Sequence, residues 1–389
     1  MRTVFIGAHE TPNGINSYTF NLALALKHRG FESKVLAFGT CSKVLDYNGV
    51  TIKQYKTYGS TITSLPALYI KSLPYLIKHR KEIDLVSYQT VTFSVIPSLV
   101  CRLFGMKTCA IIHSLPEDSP KHSPLKKQMM VAAMKLALAL TSNVITVSNT
   151  KAQEVYERYK KKCIILPCGV FLPENEVLNT NILKKNGIKP GSFFLTIGRV
   201  DPIKNLETLI DAFKQHDHGE YQLVIGGDVD NAYGKTILER AKGCKNIIFP
   251  GVVYGEAKAA LLQNCLAYCL VSSSEGLPIA LLEGMSYGII PVVTRIPSIQ
   301  EVLEKYNIGL WSVVKNVGQL ACNMKTIEDE YEKYSGQGKI AQEIVEQNYT
   351  WPHICVTIQR LQPCQNCPYP QKGRGLLQMV FCRVSLQSL

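Results

Sequence analysis

The stretch Ser192–His216, SFFLTIGRVDPIKNLETLIDAFKQH, decides how this chain is read. SFFLTIG is a short, continuous apolar run ending on glycine, the pattern of a strand buried on both faces. NLETLIDAFKQH, which follows, carries its apolar residues at helical spacing. Between the two stand Arg199, Asp201, Pro202 and Lys204. Strand, charged turn and helix make one β–α unit, and the unit recurs. YQLVIGG, NIIFPG, LAYCLVSSS and IIPVVT are four more strand-like runs downstream, each separated by a helical segment. Upstream, RTVFIG, FESKVLAFG, DLVSYQ, KTCAIIH and SNVITVS alternate with helical segments in the same way. INSYTFNLALALKHRG among them reads as a helix closed by Gly30. Such alternation is the mark of α/β domains with parallel sheets.

CIILPCGVFLP (163–173) ends the first series in a turn bearing Pro and Gly, and polar ENEVLNTNILKKNGIKPG separates it from the second. The sequence therefore predicts two doubly wound, Rossmann-like α/β domains facing each other across a cleft. The first covers 1–172 and the second 173–345. Ligands of open α/β sheets bind outside the carboxyl ends of the strands, so the cleft is the expected site.

A chain of 389 residues with 46% hydrophobic content fills two cores. The amino terminus has only a five-residue apolar stretch, Val4–Ala8, read as a first strand rather than a signal peptide. MMVAAMKLALAL (129–140) is too short to span a bilayer and contains Lys135. The expected location is cytoplasmic. The 13 cysteines are odd in number and scattered, as reduced core cysteines are. Cys364 and Cys367 form one C-x-x-C without a second pair at zinc spacing, and no metal site is expected there. Charge is uneven. Residues 1–175 hold 22 Lys+Arg and 10 Asp+Glu, a net of +12, against 21 and 20 in residues 176–389. An excess in one domain points to an anionic partner or to a solvated basic surface.

Two segments can do chemistry. Arg199 and Lys204 flank a helix start at the carboxyl end of a strand. A guanidinium fork, an ammonium and free helix N–H groups suit a diphosphate; the same residues also fit a surface loop with an Asp201–Lys204 contact. In SSSEGLPIALLEGMSYGIIP (272–291), Pro278 fits the first helical position and Gly288 the stop. Glu275 then precedes the helix mouth, and Glu283 lies about one and a half turns in. Two carboxylates around free backbone amides suit a sugar nucleotide, with its diol, diphosphate and hexose. A helix cap plus one exposed Glu fits them as well.

GRVDPIKN and SEGLPIALLEGMSYGIIPVV, in this order and at this separation, resemble the donor site of family 4 glycosyltransferases, retaining enzymes of the GT-B fold. The resemblance covers roughly residues 1–360 and is most specific over 196–302. It implies that Arg199 and Lys204 bind the donor diphosphate and stabilise the leaving nucleotide. It implies that Glu275, first of an E-x7-E pair, lies by the hydroxyls of the transferred sugar and that Glu283 holds the ribose. Gly276 and Leu277 would offer amides to sugar and phosphate. Glu301 sits where many members have a donor-pocket Glu. Gly14, in ETPNGINSYTF, resembles the glycine loop that lets the backbone approach the phosphates. His113, at the end of CAIIH, matches a histidine beside the reaction centre. Where the family has P-N-G-V-D, this chain has Cys168 and Phe171 in place of the polar pair.

The resemblance implies a UDP- or GDP-sugar as donor substrate and no cofactor or essential metal. Asp228-Val-Asp230 reads as a turn rather than a metal site. It also implies a glycan or lipid-linked acceptor, in cell-surface polysaccharide or glycolipid synthesis. LPALYIKSLPYLIKHRKE (65–82) and KHSPLKKQMMVAAMKLALAL (121–140) mix cations with apolar residues. They are read as peripheral attachment to an anionic inner membrane face, or as core helices. Residues 346–361 are expected to cross back to the first domain, and 362–389 form an atypical tail, a disordered extension or a reading-frame accident. Rival readings are a catalytically inactive partner subunit and a basic nucleic-acid-binding protein. The second lacks any binding motif, and no nucleic acid is expected.

Overall fold

The computed structural model describes residues 2–9, 14–58, 61–118, 123–173, 180–216 and 218–354. They form two Rossmann-like α/β lobes, as the sequence predicts. The first sheet runs β1 (Arg2–His9), β2 (Glu32–Gly39), β3 (Lys43–Tyr47), β4 (Val50–Lys56), β5 (Leu85–Tyr88), β6 (Thr108–Ile112), β7 (Asn143–Thr146) and β8 (Ile164–Ile165). Its spatial order is β3-β4-β2-β1-β5-β6-β7-β8, all parallel except the β3–β4 pair. That antiparallel hairpin closes on Asn48 and Gly49, both at positive φ as a tight primed turn needs.

The second sheet holds β9 (Phe193–Ile197), β10 (Gln222–Gly226), β11 (Ile247–Gly251), β12 (Ala267–Leu270), β13 (Ile290–Thr294) and β14 (Leu310–Ser312). Its order β11-β10-β9-β12-β13-β14 is parallel throughout and reverses direction between β9 and β12. A reversal of this kind opens a crevice at the carboxyl ends of the two central strands. Both sequence segments singled out for chemistry follow those two strands.

The lobes share an apolar core. Tyr18 and Leu22 of the helix Gly14–His28, Cys168 and Val170 after β8, and Trp351 belong to one buried cluster with Phe193, Leu195 and Leu281 of the second lobe. Residues 349–352 pack against the first lobe. Val170 donates its N–H to the Tyr349 carbonyl at 2.8 Å, and Trp351 stacks edge-on against Tyr18 with centroids 5.6 Å apart. Arg29 binds the Pro352 carbonyl at 2.8 Å. The remainder of the crossing segment after Ile354, the tail at 362–389 with Cys364 and Cys367, and residues 10–13 of the glycine loop lie outside the described residues. No helix among the described residues is long and apolar enough to cross a membrane.

Candidate functional site

The crevice is built first by backbone. At the end of β9, Gly198 donates to the Gly226 carbonyl at 2.9 Å. Gly227 follows, and a Cβ there would stand 2.3 Å from the Gly198 carbonyl oxygen, so only glycine lets the two strand ends meet. Arg199 leaves this junction two-thirds exposed, with its guanidinium 3.8 Å from Asp201. Asp201 caps the short turn Pro202–Lys204 by accepting from Ile203 N, and Asn205 in the left-handed region starts the helix Leu206–Lys214. Arg199, Lys204 and Ser272 line one concavity at the carboxyl ends of β9, β10 and β12.

The loop after β12 is tied to that turn. Ser273 donates N–H and hydroxyl to the Ile203 carbonyl at 2.9 and 3.1 Å. Lys204 Nζ reaches Glu275 Oε1 at 2.6 Å, and the buried Ser272 hydroxyl donates to the same oxygen at 2.6 Å. Lys204 and Glu275 thus neutralise one another in the largely desolvated floor of the crevice.

The helix that follows runs Ile279–Ser286, starting one residue later than read from sequence, so that Pro278 is its cap rather than its first helical position. Gly288 at φ +72° ends it, as expected. Glu283 is held by Lys258 of the preceding helix at 2.5 Å, both side chains partly exposed. The adjacent Gly284 packs against the Tyr268 ring. Tyr268 lies under the site. Its hydroxyl donates to the Ile197 carbonyl at 3.1 Å and accepts from Ile197 N at 3.2 Å, which fixes the end of β9. Burial pushes its phenol far up, and the Glu283 and Glu275 charges add to that shift, so Tyr268 stays protonated.

Across the seam, His113 follows β6. A Cβ on Gly276 would fall 2.6 Å from the His113 carbonyl oxygen, so the loop carrying Glu275 and the strand end carrying His113 meet without room for a side chain. Ser148 donates to the Gly276 carbonyl at 2.9 Å and holds the approach. Leu277 is buried beside it. The His113 ring lies edge-on to Tyr18, centroids 4.8 Å apart, and its Nε2 stands 3.2 Å from Gln89 Oε1. Burial lowers its pKa to about 4, so the ring is neutral at pH 7. Gln89 Oε1 only accepts, which places the proton on Nε2 and leaves Nδ1 unprotonated.

The structure therefore brings together Arg199, Lys204, Glu275, Gly276 and Leu277 with His113 opposite. Gly14 begins the helix after β1, exposed, and a Cβ there would meet no atom within 4 Å, so the chain's own packing does not demand glycine. Glu301 departs from the donor-pocket reading. Its two carboxylate oxygens accept from Asn149 N and Nδ2, both at 2.7 Å, and from Thr150 N and Oγ1, both at 2.9 Å. These donors sit at the start of the first-lobe helix Asn149–Tyr159, so Glu301 serves as an interlobe latch on its N-terminus. Asp228 accepts from Asp230 N at 2.9 Å, an Asx turn. Sequence reasoning missed Lys258, Ser272, Gln89 and Tyr268. The serine run held a signal for Ser272, whereas the others meet the site only through tertiary packing.

Residues 12–172 match the family model described as Glycosyltransferase Family 4, and residues 179–344 the one described as Glycosyl transferases group 1. A probable sucrose-phosphate synthase of Thermosipho melanesiensis is 25% identical over 264 residues, which are 62% of this chain and 59% of that protein. The matched part thus spans about three fifths of that curated relative. Among solved structures, sucrose-phosphate synthase from Thermosynechococcus elongatus aligns with a TM-score of 0.79 at 18% identity, over 93% of this chain and 98% of that one. HepE of Anabaena, in complex with UDP-glucose, aligns at 0.74 and 17% over 92% and 98%. At these identities the likeness is one of fold.

Proposed function

We propose, on the premise that the chain belongs to the family 4 glycosyltransferases of the GT-B fold, that it moves a sugar from a nucleoside diphosphate donor to an acceptor hydroxyl with retention at the anomeric carbon. The observation that carries this reading is the Lys204–Glu275 pair beside Arg199, facing His113 across a seam closed on Gly276. The diphosphate binds Arg199, Lys204 and the amides around Gly276 and Leu277, with Gly14 admitting the phosphates from the first lobe. Glu275, released by Lys204, takes hydroxyls of the sugar. Glu283 exchanges Lys258 for the ribose diol. Neutral His113 presents a ring nitrogen to the transferred sugar without adding charge.

As the anomeric bond breaks, negative charge grows on the leaving diphosphate. Two fixed cations and helix-end amides in a desolvated crevice stabilise it, and they serve this role without an essential metal. Lobe closure keeps water from the donor. Uridine is the favoured base, since the Anabaena relative was solved with UDP-glucose. The acceptor is a glycan or lipid-linked hydroxyl at an anionic membrane face. The curated relative named for sucrose phosphate makes a sugar phosphate the second reading.

A transfer assay with UDP-, GDP- and ADP-sugars, run with lipid extract, oligosaccharide or sugar phosphate as acceptor and with and without chelator, tests the proposal. Chelator-resistant transfer from one UDP-sugar to a lipid or glycan acceptor is expected. Absence of both transfer and donor hydrolysis with every donor removes the assignment.

A further inference from the structure

Gln89 is a primary amide in an apolar place. It follows β5 and is only 2% exposed, so its oxygen and its nitrogen must find partners within the protein. Its Oε1 stands 3.2 Å from His113 Nε2, and its Nε2 donates to the buried Ser87 hydroxyl at 3.2 Å. Ser87 in turn bonds with the side chain of Cys109, a thiol that burial pushes up to about 12. Cys109, Ser87, Gln89 and His113 thus form one buried chain, and none of the four carries charge at pH 7. Tyr18 lies edge-on to the same imidazole, and His113 Nδ1 has no hydrogen-bond partner among the described residues. One ring nitrogen is committed and the other is open.

The backbone is shaped to hold Gln89 there. Gly7 breaks the register of β1 against β2 between Ile6 and Ala8, and it sits at φ +119°. A Cβ on Gly7 would stand 3.1 Å from the Tyr69 hydroxyl and 3.2 Å from Gln89 Cβ, so glycine makes room for both. Gln89 N donates to the Ile6 carbonyl at 2.9 Å. The buried Tyr69 hydroxyl accepts from Thr90 N at 3.2 Å and donates to the Thr90 carbonyl at 3.1 Å. Gln89 is therefore tied to β1 by its own N–H and clamped through its neighbour by Tyr69. A register break beside a reactive site re-aims side chains, and here the side chain it aims is an amide.

We infer that Gln89 is a positioning residue for the transfer: it locks His113 in the tautomer whose unprotonated Nδ1 accepts a hydrogen bond from a hydroxyl of the reacting sugar. This rests on the reading that His113 faces the transferred sugar. An amide suits the task because it takes the Nε2 proton without adding charge. A carboxylate in the same place would take that proton as well, but it would favour the imidazolium, which has no acceptor to offer. The titratable groups on the elements packed against the ring are few. They are Tyr18, Cys109 at the far end of the buried chain, and Glu275 with its partner Lys204 on the loop across the seam.

The test joins ring nitrogen NMR of the histidine-labelled full chain with kcat and KM against pH, using the donor and acceptor that give turnover in the assay above. The wild type is compared with Gln89→Leu and Gln89→Glu, and His113→Gln assigns the His113 signals. In the wild type at pH 7 the proton sits on Nε2 and Nδ1 reports as unprotonated. Gln89→Leu leaves a buried N–H without an acceptor. The ring then populates both tautomers, and kcat falls roughly 10- to 100-fold while KM for the donor changes less than about threefold. Gln89→Glu keeps the Nε2 bond but favours the charged ring. Its kcat recovers toward wild type at high pH, and its acid limb lies about 1–3 pH units above that of the wild type. A glutamine with a merely structural role moves neither the tautomer nor the pH profile. Nδ1 protonated in the wild type overturns the inference, and so does Gln89→Leu with wild-type tautomer and kcat. Should Gln89→Leu fail to bind UDP, the wild-type spectrum and the Gln89→Glu profile still decide. Absence of turnover in every protein removes the glycosyltransferase reading, while the spectra judge the hold of Gln89 on His113 by themselves.

Discussion

Replacing Glu301 with Ala removes the acceptor for four hydrogen bonds that cross from one lobe to the other. The Asn149 pair lies at the surface, where a charged contact contributes only a few tenths of a kcal/mol. The Thr150 pair is partly buried, and a carboxylate on a partly buried helix N-terminus contributes up to about 2 kcal/mol. Together they stabilise the docked lobes by up to about 2.5 kcal/mol, which shifts the docked-to-open ratio by up to roughly 70-fold. Glu301→Gln keeps one carbonyl acceptor but presents an amide donor to the other N–H, so it is expected to fall between wild type and Ala. Amide hydrogen exchange reads the effect directly, because the Asn149 and Thr150 N–H groups are themselves the donors. Both amides exchange faster in Glu301→Ala, by up to about 70-fold, and small-angle scattering without nucleotide shows a larger radius of gyration. Exchange at Asn149 and Thr150 identical to wild type refutes the latch.

Other consequences are as specific. Gly276→Ala forces a Cβ to within 2.6 Å of the His113 carbonyl, so it costs about 1–3 kcal/mol by thermal denaturation and lowers transfer. Glu275→Gln drops kcat at least about 100-fold while UDP affinity changes far less, since the carboxylate is assigned to the sugar rather than the diphosphate. A large loss of UDP binding with kcat intact contradicts that role. His113 has a folded pKa of about 4, below its unfolded value, so its contribution is fully present above pH 6.5 and lost as pH falls toward 4. Between those limits the wild type loses up to about 3 kcal/mol relative to His113→Gln, and parallel stability–pH curves for the two proteins refute the shift.

The fold was legible because both lobes repeat one unit. Runs such as SFFLTIG and YQLVIGG are apolar throughout, as doubly covered parallel strands must be, and glycines at Gly30 and Gly288 mark real helix ends. The β3–β4 hairpin was overlooked although Asn48-Gly49 signals it, because β3 is fully exposed and carries no apolar pattern that a core would impose. The site was legible where chemistry is local. Arg199, Lys204 and Glu275 each follow a strand end, and topology alone delivers them to one crevice. Pairings escape a linear reading: Glu283 with Lys258, His113 with Gln89, and above all Glu301 with Asn149 and Thr150 depend on helices that approach only in three dimensions. Glu301 sat close to donor-site motifs, yet its carboxylate faces the other lobe.

Calorimetric titration of UDP into the wild type and into Arg199→Ala/Lys204→Ala tests the central claim most directly. The account predicts enthalpic one-site binding to the wild type and at least about 100-fold weaker binding to the double variant, each lost charge-assisted contact contributing about 1.5–3 kcal/mol. Equal affinity in the two proteins places the diphosphate elsewhere and contradicts it.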